Sequence, residues 1–307
     1  MEGFHAAAAD ARLPYLHEQY PRLAVLYPFA FENTFMLTWE AQFCRSTMHL
    51  CVALCAAYCF SCYFGKQIMR SREAFDMTPV LALWNLSLST FSACGALRTV
   101  PFLLHSIYHH GVYHSVCSDA TAHYGNGPVG LWVSMFIFSK ALRLTVCVQI
   151  PELFDTFFVV IRKKPLRFLH WYHHITVLLF CWHAYSVRSS SGLYFVAMNY
   201  TVHAVMYMYY FLTAVGYRPR WAYLVTTLQL SQVRIEGFTS PRMVVGVAVC
   251  AASVIYLSTS SSSSTTTCHA NRTNLQYGIV MYASYFALFL HFFIQRYSTT
   301  TTSKKSQ

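Results

Sequence analysis

His170-Trp-Tyr-His173-His174 stands at the head of an apolar run that continues to Tyr185, directly after the basic cluster Arg162-Lys163-Lys164. On a helix, positions 170, 173 and 174 are i, i+3 and i+4, so the three imidazoles share one face. Three neighbouring histidines at the edge of a hydrophobic span are costly to bury without a task, because each ring has two nitrogens to satisfy where water is scarce. The spacing points to a catalytic cluster at a membrane surface. The plainer alternative is an interfacial aromatic belt whose histidines are merely satisfied.

The rest of the chain supports a membrane setting. It has 307 residues, 55% of them hydrophobic, 17% aromatic and 11% charged, with a positive mean hydropathy. An ordinary soluble domain carries about 25% charged residues. The expected fold class is therefore an all-α polytopic membrane protein with seven transmembrane helices. The net charge of +11 falls in short clusters between apolar runs, which suits loop anchoring and anionic headgroups or substrates more than nucleic acid. The eleven cysteines lie mostly within the spans, where they behave as small apolar residues. Cys117 and Cys268 are the exceptions, each in a polar loop. No compact apolar core precedes a cleavage site in residues 1–45, so no cleavable signal is expected.

In chain order, residues 1–45 read as an interfacial segment whose sequence is uninformative. Residues 46–297 form the seven-span domain, and 298–307 a tail. The spans are placed at 46–64, 78–104, 127–161, 168–185, 193–215, 221–257 and 275–297. A polar loop carrying His105, His109, His110, His114 and Cys117 follows the second, and a Ser/Thr-rich loop follows the sixth. Basic residues concentrate after spans one, three and five: Lys66, Arg70 and Arg72, then Arg162 to Arg167, then Arg218 and Arg220. By the positive-inside rule those turns and the C-terminus are cytosolic, and the histidine cluster with them. The terminal Lys304-Lys305-Ser306-Gln307 is similar to a dilysine signal for the endoplasmic reticulum, which works only from the cytosolic side.

Further polar sets interrupt the spans. Glu152, Asp155 and Thr156 repeat the i, i+3, i+4 spacing. Asn199, His203, Met206, Tyr207 and Tyr210 lie along the fifth span, and Thr226, Gln229 and Gln232 along the sixth. Polar residues recurring on one face of a membrane helix point into a bundle, where they bind helices together or line a site.

Taken together, these motifs resemble the ELO family of fatty-acid elongases, from about Pro79 to the C-terminus. Flanks such as Tyr124-Gly-Asn-Gly-Pro128 and Gly95-Ala-Leu-Arg-Thr99 are most similar to the branch that extends saturated and monounsaturated medium- to long-chain acyl groups. The resemblance implies condensation of acyl-CoA with malonyl-CoA to 3-ketoacyl-CoA, carbon dioxide and CoA. It implies neither metal nor other cofactor, and six helices around an acyl tunnel with the first span outside. His173 would be the nucleophile carrying a transient acyl-imidazole and His203 its partner. His170 and His174 would orient substrate, while Asn199, Gln229, Glu152 and Asp155 would supply hydrogen bonds. Tyr207, Tyr210, Thr226 and Gln232 would line the substrate path. Lys163 and Lys164 would meet CoA phosphates, though a topogenic anchor explains them equally well. The partners implied are the ketoacyl reductase, dehydratase and enoyl reductase of the elongation cycle. Self-association is left open. Cys117 and Cys268, both in loops assigned to the oxidising lumen, are expected to form a disulfide. Asn271-Arg-Thr273 is expected to accept glycan there, whereas Asn199-Tyr-Thr201 lies within a span.

Two rivals remain at this stage. A di-iron desaturase or hydroxylase shares the HxxHH box, and His105-Ser-Ile-Tyr-His109-His110 looks like a second box. That set, however, falls about one bilayer core of ~30 Å from His173. A seven-span receptor or transporter fits the span count but not the histidines. The sequence also departs from the family pattern. Gln149 stands where the family has a lysine three residues before Glu152, and Lys140 lies nine residues too early, about 2.5 turns away. Residues 141–149 and 233–242 lengthen the third and sixth spans beyond the ~20 to 25 residues a crossing needs. These segments are expected to be either unremoved intervening sequence or bulges kept out of the bilayer.

Overall fold

The computed structural model describes residues 27–137, 149–217, 219, 241–260 and 268–303. Thr226, Gln229, Gln232, the Lys304-Lys305 signal and almost all of both inserts lie outside this set, as do the side chains of Gln149, Glu152 and His291. After a 3-10 turn at Ala30–Glu32 come helices α1 (Thr38–Ser46), α2 (Met48–Arg70), α3 (Thr78–Cys117), α4 (Ala120–His123) and α5 (Gly127–Ile137). They are followed by α6 (Gln149–Ile161), α7 (Phe168–Ser186), α8 (Gly192–Ala214), α9 (Pro241–Ser260) and α10 (Arg272–Ser303). The one β-type contact among the described residues is an isolated bridge between Met36 and Asn126. Among these residues, α2 and α3 are long and apolar enough to cross a membrane.

Small residues set the closest helix crossings. A Cβ at Gly95 of α3 would lie 2.6 Å from the Tyr200 ring of α8, and on the same pair Ser89 donates to the Ala204 carbonyl at 2.8 Å. Such side chains let backbones approach where hydrophobic burial gives helices in lipid little reason to associate. Gly65, expected to end the first span, instead sits inside α2 with its Cα facing Val160 of α6. The helix continues for five more residues because nothing in Lys66 to Arg70 breaks it.

Helix α3 also outruns its expected end. Residues 105–117 are helical rather than a loop. The helical dihedrals continue through Pro101, although it has no N–H to donate, and the single break is at Gly111, with φ 79° and ψ 172°, a backbone setting that only glycine adopts without strain. The sequence-based boundary failed because histidine and tyrosine lower hydropathy without preventing a helix. Cys59 and Cys62 stand in a CxxC spacing, which reading them as plain apolar residues passes over. In α2, Cys59 is exposed and Cys62 half-buried, both as free thiols.

Residues 27–46, the described part of the segment before α2, are bonded into the bundle. Glu32 is fully buried. Its carboxylate pairs with Arg98 at 3.1 Å, accepts from Trp132 Nε1 at 2.7 Å and accepts from the Phe29 backbone N–H at 2.8 Å. Leu37 N donates to Asn126 Oδ1 at 3.2 Å, and Gly127 N to the Phe35 carbonyl at 3.0 Å. The same end of the molecule holds the Cys117–Cys268 disulfide, with Cα atoms 4.5 Å apart. The adjoining His269 N–H bonds the Cys117 carbonyl at 2.9 Å. Asn271 caps α10, its Oδ1 accepting from Asn274 N at 2.8 Å.

Breaking the Glu32–Arg98 pair leaves one buried charge uncompensated. Arg98→Met should therefore destabilise the protein by about 3–5 kcal/mol, and the double variant with Glu32→Gln should recover part of that loss, both read by thermal unfolding in detergent. A second expectation concerns acid. Burial, reinforced by His114 and His110, pushes the His123 imidazole in α4 down to about 4. The unfolded chain then binds a proton that the folded one refuses, so stability should fall as pH drops from about 6.5 to about 4. A His123→Gln variant should show a shallower fall in the unfolding midpoint over that window.

Candidate active site

Helix α7 begins at Phe168, right after the turn that carries Arg162, Lys163 and Lys164. Its first turns present the histidine box on one face. The His170 and His174 rings lie 4.7 Å apart at 69°, and those of His173 and His174 5.6 Å apart at 81°. His174 is buried. His173 faces the Tyr285 ring of α10 at 5.5 Å, whose hydroxyl also meets Thr176 at 2.6 Å. From α8, His203 is buried and stands edge-on to Tyr207 at 5.4 Å.

All four histidines line one cavity of about 990 Å³. Asp155, Asn199, Met206, Tyr207 and Tyr210 line it too, so the structure gathers the whole box, the fifth-span motif and Asp155 of the carboxylate motif around one space. Asp155 is not a loose base. It accepts from Trp84 Nε1 at 2.7 Å and from the Tyr207 hydroxyl at 2.6 Å. It thereby joins α3, α6 and α8 and orients the ring that packs on His203. Asn199 differs: its buried Oδ1 has no hydrogen-bond partner among the described residues. A polar atom left so costs about 1–3 kcal/mol, which a bound ligand facing the cavity would relieve.

The basic turn divides. Lys164 lines the cavity together with Arg162 and Arg167, whereas Lys163 bends away at φ 55°. Its ammonium donates to the carbonyl oxygens of Arg72 at 2.9 Å and Arg70 at 3.5 Å, so it anchors the α2–α3 connection. The two arginines escaped the sequence reading, which favoured the adjacent lysines; their signal was the same charge cluster. Deeper in, the walls are apolar, with Phe136, Phe180 and Phe195. His183 lies elsewhere, bonded to Asn274 at 3.1 Å.

The His105 to His123 set occupies the opposite end of α3. From Thr78 beside the cavity to His105 is about 40 Å at helical rise. Its rings contact one another, His105 to His109 at 4.3 Å and His110 to His114 at 4.8 Å. No group of three or more His, Cys, Asp or Glu side chains among the described residues is placed to hold a metal ion.

The sequence matches the family model described as ELO, the GNS1/SUR4 family, over residues 43–305. It is similar to the very long chain fatty acid elongase 6 of Drosophila melanogaster, 38% identical over 273 residues that cover 88% of this chain and 79% of that protein. It is also similar to fatty acid elongase 3 of Trypanosoma brucei brucei, 36% identical over 297 residues, covering 87% of this chain and 88% of the relative. The very long chain fatty acid elongase 6 of Homo sapiens is 35% identical over 275 residues, covering 89% and 93%.

Asp155→Asn should destabilise the protein by about 1–3 kcal/mol in thermal unfolding. An amide offers one acceptor and one donor group where two donors, Trp84 and Tyr207, already point.

Proposed function

We propose, for a chain that belongs to the ELO family of fatty-acid elongases, that the box of α7 and His203 of α8 together perform the condensation step. The protein is an integral membrane enzyme, a 3-ketoacyl-CoA synthase that extends acyl-CoA with malonyl-CoA. The chemistry of the family is carbon–carbon bond formation rather than desaturation, which removes the di-iron alternative.

The observation that carries the reading is the single cavity shared by His170, His173, His174 and His203, with cations at one end and aromatic walls in its depth. In this proposal a ring nitrogen of His173 attacks the acyl thioester carbonyl. The acyl–sulfur bond breaks, CoA leaves as the thiolate, and the acyl group stays on the imidazole. Malonyl-CoA then loses carbon dioxide, and the electron pair of the broken bond makes the enolate carbon nucleophilic. That carbon attacks the acyl-imidazole and releases His173. His203 and the Asn199 amide are suited to stabilise the oxyanions that develop at the two carbonyls. Asp155 acts through Tyr207, which it holds against His203. Arg162, Lys164 and Arg167 provide the cationic mouth that CoA phosphates require.

The finer arrangement belongs to the same proposal. Seven spans would place this mouth and the C-terminus in the cytosol and the Cys117–Cys268 end in the lumen of the endoplasmic reticulum, where Asn271 would be open to glycosylation. Residues 46–297 would be the membrane domain, with six helices around the acyl tunnel, and 298–307 the retrieval tail. Saturated and monounsaturated acyl chains would be the substrates. The reductases and dehydratase of the cycle would consume the product.

His173→Ala and His203→Ala should each abolish malonyl-CoA-dependent 3-ketoacyl-CoA formation by purified protein that still unfolds cooperatively. His183→Ala should retain most activity. Near-normal turnover in either of the first two variants would overturn the assignment.

A further inference from the structure

Helix α2, which carries none of the motifs, also reaches the histidine box. Tyr58 lies in the middle of α2 and is buried. Its hydroxyl is 2.7 Å from Thr156 Oγ1, which is in turn 2.9 Å from His170 Nε2. Thr156 is buried as well. The Tyr58 ring meets the neighbouring His174 edge-on, with centroids 6.3 Å apart at 71°.

From this chain we propose that Tyr58, acting through Thr156, is a positioning residue that sets which nitrogen of His170 carries the proton. The inference rests on the elongase reading of the box but concerns a residue that reading does not use. A hydroxyl has one proton and two lone pairs, so Thr156 donates to at most one of these neighbours. With Tyr58 donating to Thr156 and Thr156 to Nε2, the neutral His170 carries its proton on Nδ1. A phenol is a stronger donor and a weaker acceptor than an aliphatic hydroxyl, so Tyr58 donates to Thr156, which turns its own proton to Nε2. That order holds the His170 ring against His174, and the two are 4.7 Å apart, so the order imposed from α2 reaches the centre of the box. A fixed tautomer matters wherever an imidazole orients a substrate or a second ring.

The test compares Tyr58→Phe, Thr156→Val and Thr156→Ser with the wild type and His173→Ala, using purified protein, acyl-CoA and malonyl-CoA. Tyr58→Phe and Thr156→Val should each lower kcat about tenfold, the factor one hydrogen bond commands, and shift its pH profile. KM for both thioesters should stay within about twofold, because neither group touches substrate. Thr156→Ser should restore the wild-type profile, and the double variant should be no slower than Thr156→Val alone. A Tyr58→Phe enzyme with wild-type kcat and pH profile would overturn the relay, as would a Thr156→Ser variant as slow as Thr156→Val. Should a variant fail to fold, 15N-histidine spectra of the wild type, with His170 assigned by loss of its signals in His170→Gln, read the tautomer directly. Protonated Nδ1 and bare Nε2 support the relay, and the opposite overturns it. A bare Nε2 in a protein that makes no condensation product would leave the relay standing and sink the elongase mechanism. Product that depends on His173 but not on Tyr58 would do the reverse.

Discussion

Two adjacent side chains on α6, Asp155 and Thr156, tie together the helices that make the cavity. Asp155 reaches α3 through Trp84 and α8 through Tyr207. Thr156 reaches α2 through Tyr58 and α7 through His170. A half-buried carboxylate on the wall of a membrane cavity is best held with its lone pairs met by hydrogen bonds, and meeting them from two directions draws three helices into one register. The hydroxyl beside it does the same with two more. The i, i+3, i+4 face that carries these groups is therefore as much a joint as a source of chemistry, and any account of the site has to begin with it.

That joint explains why the polar groups gather in one layer of the cavity. The histidines, Asn199 and Tyr207 all sit where α6, α7 and α8 are held by hydrogen bonds, while the lining farther in is aromatic and apolar. Lipid offers no hydrophobic gain for helix association, so directional bonds and small-residue crossings such as Gly95 against Tyr200 have to fix the geometry. Positioning of this kind suits a condensation whose demand is orientation of two acyl carbons and stabilisation of transient charge.

The two ends of the bundle are built differently. The end opposite the box is closed by the Cys117–Cys268 bond, the Glu32–Arg98–Trp132 network and a series of side-chain bonds to loop carbonyls. At the box end, among the described residues, the connecting turns are tied by Phe75 N to the Ile161 carbonyl at 3.2 Å and Lys163 to the carbonyls of Arg70 and Arg72. A stitched base and a more open basic mouth are what a long, flexible thioester substrate needs, since entry requires access at one end and the reacting groups require rigidity below it.

Local pattern alone determined much of this. Hydropathy marks the chain as a helical membrane protein, the spacing of His170, His173 and His174 puts three rings on one face, and the motifs at 152–156 and 199–210 select the family. These features repeat with the helix period, so they survive in one dimension. Burial of Glu32, the division of labour between Lys163 and Lys164, the helical run through His105 to Cys117 and the reach of Tyr58 into the box were decided by tertiary structure. Each depends on partners far away in the chain: Arg98 is 66 residues from Glu32, and Thr156 is 98 from Tyr58. A lone glutamate in an aromatic segment, or a tyrosine among cysteines in an apolar span, carries no periodic signal of its own. Only when the helices pack does a buried charge or hydroxyl have to find its partner, and that requirement, imposed by the absence of water, assigns the residue its role.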